Sequence, residues 1–421
     1  MATSSPVSAT QAQPALSTLQ VLACGAAIVT LSMGVRHGFG LWLQPITMER
    51  GWTRETFAFA LAVQNLSWGV AGLFVGMIAD RFGAFRVLVA GSAIYAAGLA
   101  SMALATTPLA FTLTAGVLLG LAQAATTYAV VYGVIGRNID ASRRSWAMGI
   151  TAAAGSFGQF LMLPVESALI SGFGGASVLS FDGVGWRNAL FILAALVLLI
   201  APLALGLREK ALSTTAGVQQ SIAQALREAF GYRSFQWLMA GYFVCGFQVV
   251  FIGIHLPSYL KDHGLSPQVA TIALALIGLF NVFGTYAAGS LGQRHPKRYI
   301  LSAIYALRAV VIALFLAVPL TPISVYVFSA AMGLLWLSTV PPTNAVVAQM
   351  FGIRHFSMLS GFIFLSHQIG SFLGAWLGGR LYDAFGSYDV VWGIAIALGV
   401  FAALINLPVR ETAIERSAVP A

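Results

Sequence analysis

Charged side chains are scarce in this sequence. Asp, Glu, Lys and Arg together make up 8% of its 421 residues, whereas apolar residues make up 58%. Soluble domains are about one-quarter charged. A soluble core could not bury this much apolar surface, so lipid must solvate much of the chain. Acidic residues are the scarcer kind, with 13 Asp and Glu against 22 Lys and Arg.

Motifs that mark an enzyme or a cofactor site are also missing. The sequence has no Walker loop for ATP phosphates, no His/Cys cluster with metal-ligand spacing, and no paired carboxylates or Ser/His/Asp set. Its two cysteines, Cys24 and Cys245, both lie inside apolar runs, so they do not indicate a disulfide framework. We therefore expect no catalytic activity, no metal and no cofactor.

Long apolar runs dominate what the sequence does contain. A helix needs about 20 apolar residues to cross the hydrocarbon layer. Twelve runs are long enough, and they are too continuous for barrel strands: 18–45, 54–79, 87–106, 109–135, 145–171, 187–207, 235–260, 268–291, 299–319, 322–347, 356–380 and 388–408. The sequence therefore predicts an all-α membrane protein with twelve transmembrane helices in a lipid bilayer.

The basic residues set the expected orientation of these helices. The net charge is +9, but the basic residues lie in short clusters between apolar runs, which does not indicate a nucleic-acid partner. Fifteen of them fall on one side of the membrane and five on the other. The richer side should be cytoplasmic, with both chain ends there as tails at 1–17 and 409–421. Residues 1–17 lack the positive segment of a secretory signal. We expect a plasma-membrane protein, and a bacterial inner membrane in particular.

The two halves of the chain are similar in sequence. Ser-Ala-Ile-Tyr at 92–95 recurs at 302–305, and glycines recur at one constant offset: Gly40, Gly51, Gly76 and Gly120 as Gly253, Gly264, Gly289 and Gly333. These repeats predict two pseudo-symmetric six-helix bundles, at 18–207 and 235–408, with a binding site between them. In the 208–234 linker, the spacing of Ile222, Leu226 and Phe230 predicts a short amphipathic helix on the cytoplasmic membrane surface.

The loop between spans 2 and 3 carries a recognisable motif, Gly76-x-x-x-Asp80-Arg81-x-Gly83-x-x-Arg86. Together with the twelve spans, the repeat and the long middle loop, it resembles the signature of the major facilitator superfamily. The resemblance covers nearly the whole chain and implies alternating access. It also implies that Asp80, with its basic neighbours Arg81 and Arg86, latches the cytoplasmic side in one state. The alternative is a turn that only fixes the hairpin of spans 2 and 3.

Within that superfamily, the stretches at 34–40, 51–54 and 185–187 resemble the monocarboxylate and oxalate/formate porter branch. That branch often carries an arginine in span 8, whereas this chain has Asn281 and Thr285 there. The resemblance implies a secondary active transporter of small organic anions that acts as a monomer. Coupling to protons and exchange against a counter-anion both stay open. Efflux of drugs or metabolites is one alternative function, and a receptor or sensor that binds without transport is another.

Arg36 is the leading candidate for binding the anion. It lies well inside span 1, where a charge costs about 2.5–3.5 kcal/mol, and Glu166 is the one candidate acid within the spans. A cation without a fixed partner suits a site whose anion is the substrate. The alternative is that Arg36 reaches the membrane interface. Gln64 and Asn65 in span 2 are interpreted as residues that form hydrogen bonds between helices.

Other polar residues within the spans are expected to complete the substrate site: His37, Gln123, Tyr128, Gln248, His255, Asn281, Arg308 and His367. Each has a structural alternative, such as packing for His255 or bonds to backbone carbonyls for Arg308. The three histidines are also candidate proton carriers, because histidine titrates near neutral pH. Pro341 and Pro342 predict a bend in span 10 beside the site, with Trp336 as an aromatic wall.

Overall fold

A computed structural model describes residues 16–172, 183–208, 222–352 and 356–414. In these residues all regular secondary structure is helical, and there is no strand. Twelve of the helices are long and apolar enough to cross a membrane, and we number them as spans 1 to 12: Thr18–His37, Arg54–Phe82, Ala84–Leu104, Pro108–Asn138, Trp146–Ser171, Gly185–Leu205, Arg233–Asp262, Pro267–Arg294, Lys297–Ala317, Pro322–Phe351, Met358–Phe385 and Asp389–Asn406. The prediction of an all-α protein with twelve transmembrane helices is confirmed.

Each half of the chain builds its own apolar core. One core runs from Val21 to Leu207 and the other from Ala229 to Val409, with only a few residues contributed across the boundary. In the first half, span 1 packs on span 5 and span 3 on span 6. The second half repeats this arrangement, with span 7 on span 11 and span 9 on span 12. The chain therefore forms two pseudo-symmetric six-helix bundles.

The two bundles meet along three pairs of spans. Span 2 packs against span 11, span 5 against span 8, and the end of span 1 against span 7. Gly40 lies against the carbonyl groups of Gly253 and Ile254, where a side chain on Gly40 would overlap the facing backbone. Because the number of spans is even, span 1 begins and span 12 ends on the same side of the bundles. We call this the terminal side and the opposite one the distal side.

The apolar run at 18–45 predicts one continuous helix for span 1, but the structure divides it into two helices. From here on, span 1 includes both helices. One helix ends at His37, and a second, Phe39–Arg50, carries the chain to the distal side. Gly38 between them keeps helix-like dihedral angles, with φ −79° and ψ −11°. The interruption follows directly after Arg36 and His37, so these two basic residues lie in the last turn of the first helix.

Spans 4 and 10 are also interrupted. In span 4 a π-helical segment, Thr112–Leu118, precedes a break at Thr127, and neither feature is predicted by the sequence. In span 10 the helices Pro322–Leu335 and Val340–Phe351 are separated by residues 336–339. The predicted bend therefore exists, but it precedes Pro341 and Pro342. Prolines fit the first turn of a helix, where their missing N–H groups have no helical partner.

The region between the halves contains a short helix, Ile222–Gly231, where the sequence predicts one. Ala225 and Ala229 are buried against the second bundle, whereas Ile222 and Phe230 are exposed. The rest of the linker up to residue 221, and the chain ends at 1–15 and 415–421, lie outside the described residues.

Candidate functional site

A cavity of about 30 Å³ lies between the two bundles, near the interruption in span 1. This volume accommodates only one or two water molecules. The first bundle contributes all the charged and amide side chains that line it: Arg36, His37, Gln64, Asn65 and Gln159. The second bundle contributes an apolar wall and one indole: Val249, Val250, Gly253, Ile254, Leu274 and Trp336. The cavity is therefore basic on one side and apolar on the other.

Arg36 is held at this cavity without a carboxylate partner among the described residues. Its Nη2 donates a hydrogen bond to Asn65 Oδ1 at 2.7 Å, and its guanidinium carbon lies 4.7 Å from the centre of the Trp68 ring. Its Nε is buried and has no hydrogen-bond partner. An amide and an indole face orient the guanidinium but do not neutralise it. The positive charge therefore stays available to an anion.

His37 lines the same cavity and has a defined tautomer. Its Nδ1 lies 2.7 Å from the carbonyl oxygen of Met33, which can only accept, so Nδ1 carries the proton of the neutral ring. In that form Nε2 is an unprotonated nitrogen that can accept a hydrogen bond.

Glu166 of span 5 lies directly behind the interruption in span 1. Its carboxylate is completely buried, and Oε2 accepts a hydrogen bond of 2.9 Å from Trp42 Nε1. Oε1 has no partner. The carboxylate packs so closely on Gly38 that a Cβ atom there would overlap it. Glu166 thus supports the interruption, although it does not line the cavity.

Arg308 has a different environment from Arg36. It is fully buried in span 9 and donates to the carbonyl oxygens of Leu335 and Trp336, which the break in span 10 leaves without helical partners. Its Nη1 also donates to Gln248 Oε1 at 3.3 Å, and the Gln248 amide donates to the Ala395 carbonyl. Every group of this cluster bonds to protein. The geometry favours the structural alternative for Arg308 and Gln248 over substrate contact.

Asn281 also bonds to protein through both atoms of its amide. Its amide donates to Ser156 Oγ at 2.8 Å across the boundary between the bundles. Its Oδ1 accepts from the Leu337 backbone at 2.9 Å and from Thr285 at 3.1 Å. Asn281 therefore ties span 8 to span 5 and to the break in span 10, and it leaves no group for a substrate in this conformation.

His255 is buried on the distal side of the cavity. Its Nε2 donates to the Ala375 carbonyl at 2.8 Å, so its Nδ1 accepts from the Tyr388 hydroxyl at 3.3 Å. That hydroxyl accepts in turn from Arg54 Nη1 at 2.8 Å. Burial raises the pKa of Tyr388, so its hydroxyl stays protonated and remains a donor. These bonds favour the packing alternative for His255, which does not line the cavity.

The remaining predicted residues surround the cavity without lining it. His367 is 7% exposed and stacks on Phe364 at 6.0 Å. Gln123 is fully buried, and neither atom of its amide has a hydrogen-bond partner. Tyr128 lies near Arg36 and pairs with Tyr132, with 5.5 Å between the ring centres. Of the nine predicted substrate residues, the structure brings only Arg36 and His37 into the cavity wall.

The distal side is closed by polar contacts between the bundles. Arg54 of span 2 pairs with Asp262 of span 7 through two hydrogen bonds of 2.6 and 2.7 Å. Asp383 of span 11 accepts hydrogen bonds from the backbone N–H groups of Arg54 and Glu55, which are the first two residues of span 2. Glu55 accepts from Arg380 at 3.1 Å. We call Arg54, Glu55, Asp262, Arg380 and Asp383 the distal gate.

The chain also matches a known family in sequence. A family model described as the Major Facilitator Superfamily matches residues 22–349 and 238–419. The chain belongs to the Major Facilitator Superfamily. Its members are transporters, so the sequence resemblance is confirmed at this level.

Superfamily relatives of the chain have several functions. Monocarboxylate transporter 13 of Bos taurus is 25% identical over 90% of this chain and 86% of its own length. An oxalate:formate antiporter of Oxalobacter formigenes is 23% identical over 93% of this chain and 90% of its own length. The multidrug resistance protein MdtH of Edwardsiella ictaluri is 25% identical over 80% of this chain and 79% of its own length. A bacterial homologue of the human lysosomal transporter Spinster, solved in an inward-facing conformation, has the same fold, with a TM-score of 0.71. The two chains are 18% identical, and the match covers 93% of this chain and 96% of the other.

The superfamily loop gives Asp80 a partner that the sequence analysis did not name. Asp80 at the end of span 2 pairs with Arg137 at the end of span 4, with Oδ1 and Nη1 2.5 Å apart. Arg81 and Arg86, the predicted partners, are exposed, and Arg81 lies over the Phe82 ring at 5.4 Å. In this conformation Asp80 therefore joins two spans of the same bundle.

Three residues of the site were undervalued from the sequence. Gln64 and Asn65 form the hydrogen bonds between helices that the sequence predicts, to the Ala115 carbonyl and to Arg36, and they also line the cavity. Trp68 lies one turn further along the same face of span 2 and supports the guanidinium. The spacing of Asn65 and Trp68 was the available signal, because residues three apart on a helix share a face.

Proposed function

We propose that this chain is a secondary transporter that carries small monocarboxylates through the membrane by alternating access. The proposal rests on Arg36, whose guanidinium lines the cavity between the bundles while no described acid pairs with it. A partly buried cation inside the membrane without a counter-charge is costly. A substrate carboxylate would accept hydrogen bonds from the unused N–H groups of Arg36 and supply the missing charge.

The opposite wall of the cavity supports a substrate with one charge. Val249, Val250, Ile254 and Leu274 offer apolar contacts to the rest of the molecule. Because Arg36 is the only Lys or Arg in the cavity wall, a second carboxylate would be buried without a counter-charge. This composition favours a monocarboxylate with a short apolar tail over a dicarboxylate such as oxalate. It also disfavours cationic drugs, because no carboxylate lines the cavity.

The size of the cavity supports a moving mechanism. About 30 Å³ is too little space for a three-carbon acid, so the bundles must separate on one side to admit it. We place the terminal side in the cytoplasm of a plasma membrane, from the excess of basic residues there. The distal gate then closes the outer side. The chain offers all the parts of this cycle in one copy, and we propose that it acts as a monomer.

Uptake by purified protein in lipid vesicles tests the proposal. We expect uptake of lactate or pyruvate, little uptake of oxalate, and none of the cation ethidium. Arg36→Gln should reduce carboxylate uptake at least tenfold, and Arg36→Lys should retain part of it because the charge remains. Arg187→Gln is the matched control, since Arg187 pairs with Glu49 on the distal surface at 2.7 Å, away from the cavity.

Three results would contradict the proposal. Full uptake of every carboxylate by Arg36→Gln would remove Arg36 from the site. Saturable carboxylate binding with no accumulation in vesicles would indicate a receptor or sensor, and preference for ethidium would indicate drug efflux.

A further inference from the structure

Glu166 is a buried acid whose charge no other group balances among the residues that the structure describes. Its carboxylate is completely buried in span 5 and receives one hydrogen bond, from Trp42. Its Oε1 is buried without any partner. A carboxylate has about four lone-pair sites for hydrogen bonds and is costly to bury with only one of them used. A protonated carboxyl would carry no charge, and its O–H would be a donor.

The groups around Glu166 do not neutralise it. The helices around span 5 carry these titratable side chains, either close to Glu166 or between Glu166 and the distal side: Arg36, His37, Glu49, Arg50, Tyr95, Tyr128 and Arg187. Arg187 pairs with Glu49, Arg36 donates to Asn65, and His37 bonds to a backbone carbonyl. The distal half of span 8 has no titratable residue. Within the described residues, Glu166 forms no ion pair.

Glu166 is also placed where a change in its charge would reach the substrate site. Its carboxylate packs on Gly38, where an added Cβ would overlap the carboxylate oxygens. Gly38 is the interruption in span 1, one residue after His37 and two after Arg36. Ionisation would call for additional hydrogen bonds or water at Glu166, and Gly38 would have to move to admit them. Such a movement would displace Arg36 at the cavity.

We propose that Glu166 is the proton-binding site that couples carboxylate transport to the proton gradient. This inference rests on the proposed function. One proton bound to the carboxylate of Glu166 and one monocarboxylate bound to Arg36 cross together, so the transported charge is zero. On release, the carboxylate anion leaves Arg36 and the proton leaves Glu166, so one proton and one anion are delivered together. The histidines are less suited to this role. A protonated His37 would place a second positive charge beside Arg36, both ring nitrogens of His255 are bonded to protein, and His367 packs against Tyr242 and Phe364 in the second bundle.

Glu166→Gln is the test variant, because glutamine has nearly the shape of the protonated acid and cannot ionise. For one proton per anion, an inward gradient of one pH unit supports up to about tenfold accumulation of lactate. We expect the wild type to approach this value and acidify the vesicle interior. Glu166→Gln should show no accumulation and no acidification, yet should still exchange labelled for unlabelled lactate. Glu411→Gln, outside the spans and 3.7 Å from Lys297, is the matched control and should behave as the wild type.

Infrared spectroscopy gives a readout that does not depend on transport. We expect a carbonyl band of a protonated carboxylic acid at neutral pH in the wild type, with most of it absent in Glu166→Gln. Acidification that persists in Glu166→Gln, or an unchanged band, would overturn the proton site while leaving the proposed function intact. If the wild type neither binds nor exchanges any monocarboxylate, the proposed function fails, and the coupling role of Glu166 fails with it. If the glutamine variant cannot be purified, the wild type tests the same assignment. Without lactate, the carbonyl band should disappear as the pH is raised, and addition of lactate should restore it.

Discussion

Arg54 and Asp262 join the two bundles through a two-pronged ion pair on the distal side. Nη1 lies 2.7 Å from Oδ2, Nη2 lies 2.6 Å from Oδ1, and the two side chains are 14% and 25% exposed. Paired, partly buried geometry of this kind is stronger than an ordinary surface ion pair. The pair joins residues from different halves, so any opening of the distal side must break it. Its strength therefore contributes to the balance between the two access states.

Exchanging the two charges tests this role of the distal gate. Arg54→Asp and Asp262→Arg should each slow lactate uptake about tenfold, because like charges would then face each other across the closure. The double variant should recover part of the rate, with a coupling energy of about 1 kcal/mol or more in a double-mutant cycle. Recovery should be incomplete, since Arg54 also donates to Tyr388. If the double variant is as slow as the product of the two single effects predicts, the pair has no role in gating.

The two arginines within the spans, Arg36 and Arg308, should respond to mutation in opposite ways. Arg308→Gln leaves the Leu335 and Trp336 carbonyls without their donor, so we expect a loss of about 1–3 kcal/mol in stability for each carbonyl and poor recovery of folded protein. Arg36→Gln removes an unbalanced charge, so its melting temperature should equal or exceed that of the wild type. Thermal unfolding of both purified variants measures this, with lactate binding in parallel. A stable Arg308 variant that loses only lactate binding would return Arg308 to the substrate site.

The membrane-spanning architecture could be predicted from the sequence because it depends on local properties. Apolar runs of sufficient length give the spans, and the repeated glycines give the two halves. The break in span 10 was also predictable in part, since Pro341 and Pro342 remove two backbone donors. The interruptions at Gly38 and Thr127 have no such local cause. They depend on packing against other spans, as the contact of Gly38 with Glu166 illustrates.

The site itself was less predictable, because a polar residue in a span can face either a cavity or the backbone of a neighbour. Arg36 and Arg308 look alike in sequence, yet one lines the cavity and the other bonds to carbonyls exposed by a break in span 10. The partner of Asp80 could not be read from the motif, because Arg137 lies on another span. Each of these outcomes is decided by contacts between residues far apart in the chain.

The ion pair of Asp80 and Arg137 should affect transport more than stability. The Asp80 side chain is 60% exposed, and exposed ion pairs contribute at most about 1 kcal/mol. We therefore expect Asp80→Asn and Arg137→Gln to leave the melting temperature nearly unchanged but to slow net uptake severalfold. Arg81→Gln is the matched control and should be close to the wild type, since Arg81 is exposed. Equal slowing by Arg81→Gln would favour the predicted latch among Asp80 and its neighbours in the loop.

Asn65 should control the affinity for substrate by orienting Arg36. Its Oδ1 accepts the 2.7 Å hydrogen bond from Arg36 Nη2, and a hydrogen bond to a charged group contributes about 1.5–3 kcal/mol. Asn65→Ala releases the guanidinium, so we expect the Kd for lactate to rise about tenfold or more, while Asn65→Asp should abolish binding by giving Arg36 an internal carboxylate. Asn188→Ala is the matched control, because Asn188 bonds only the Val184 carbonyl at the start of span 6. Titration calorimetry on the purified variants measures these constants. Lactate binding by Asn65→Asp at wild-type affinity would mean that the substrate does not use the charge of Arg36, and the carboxylate site would have to lie elsewhere.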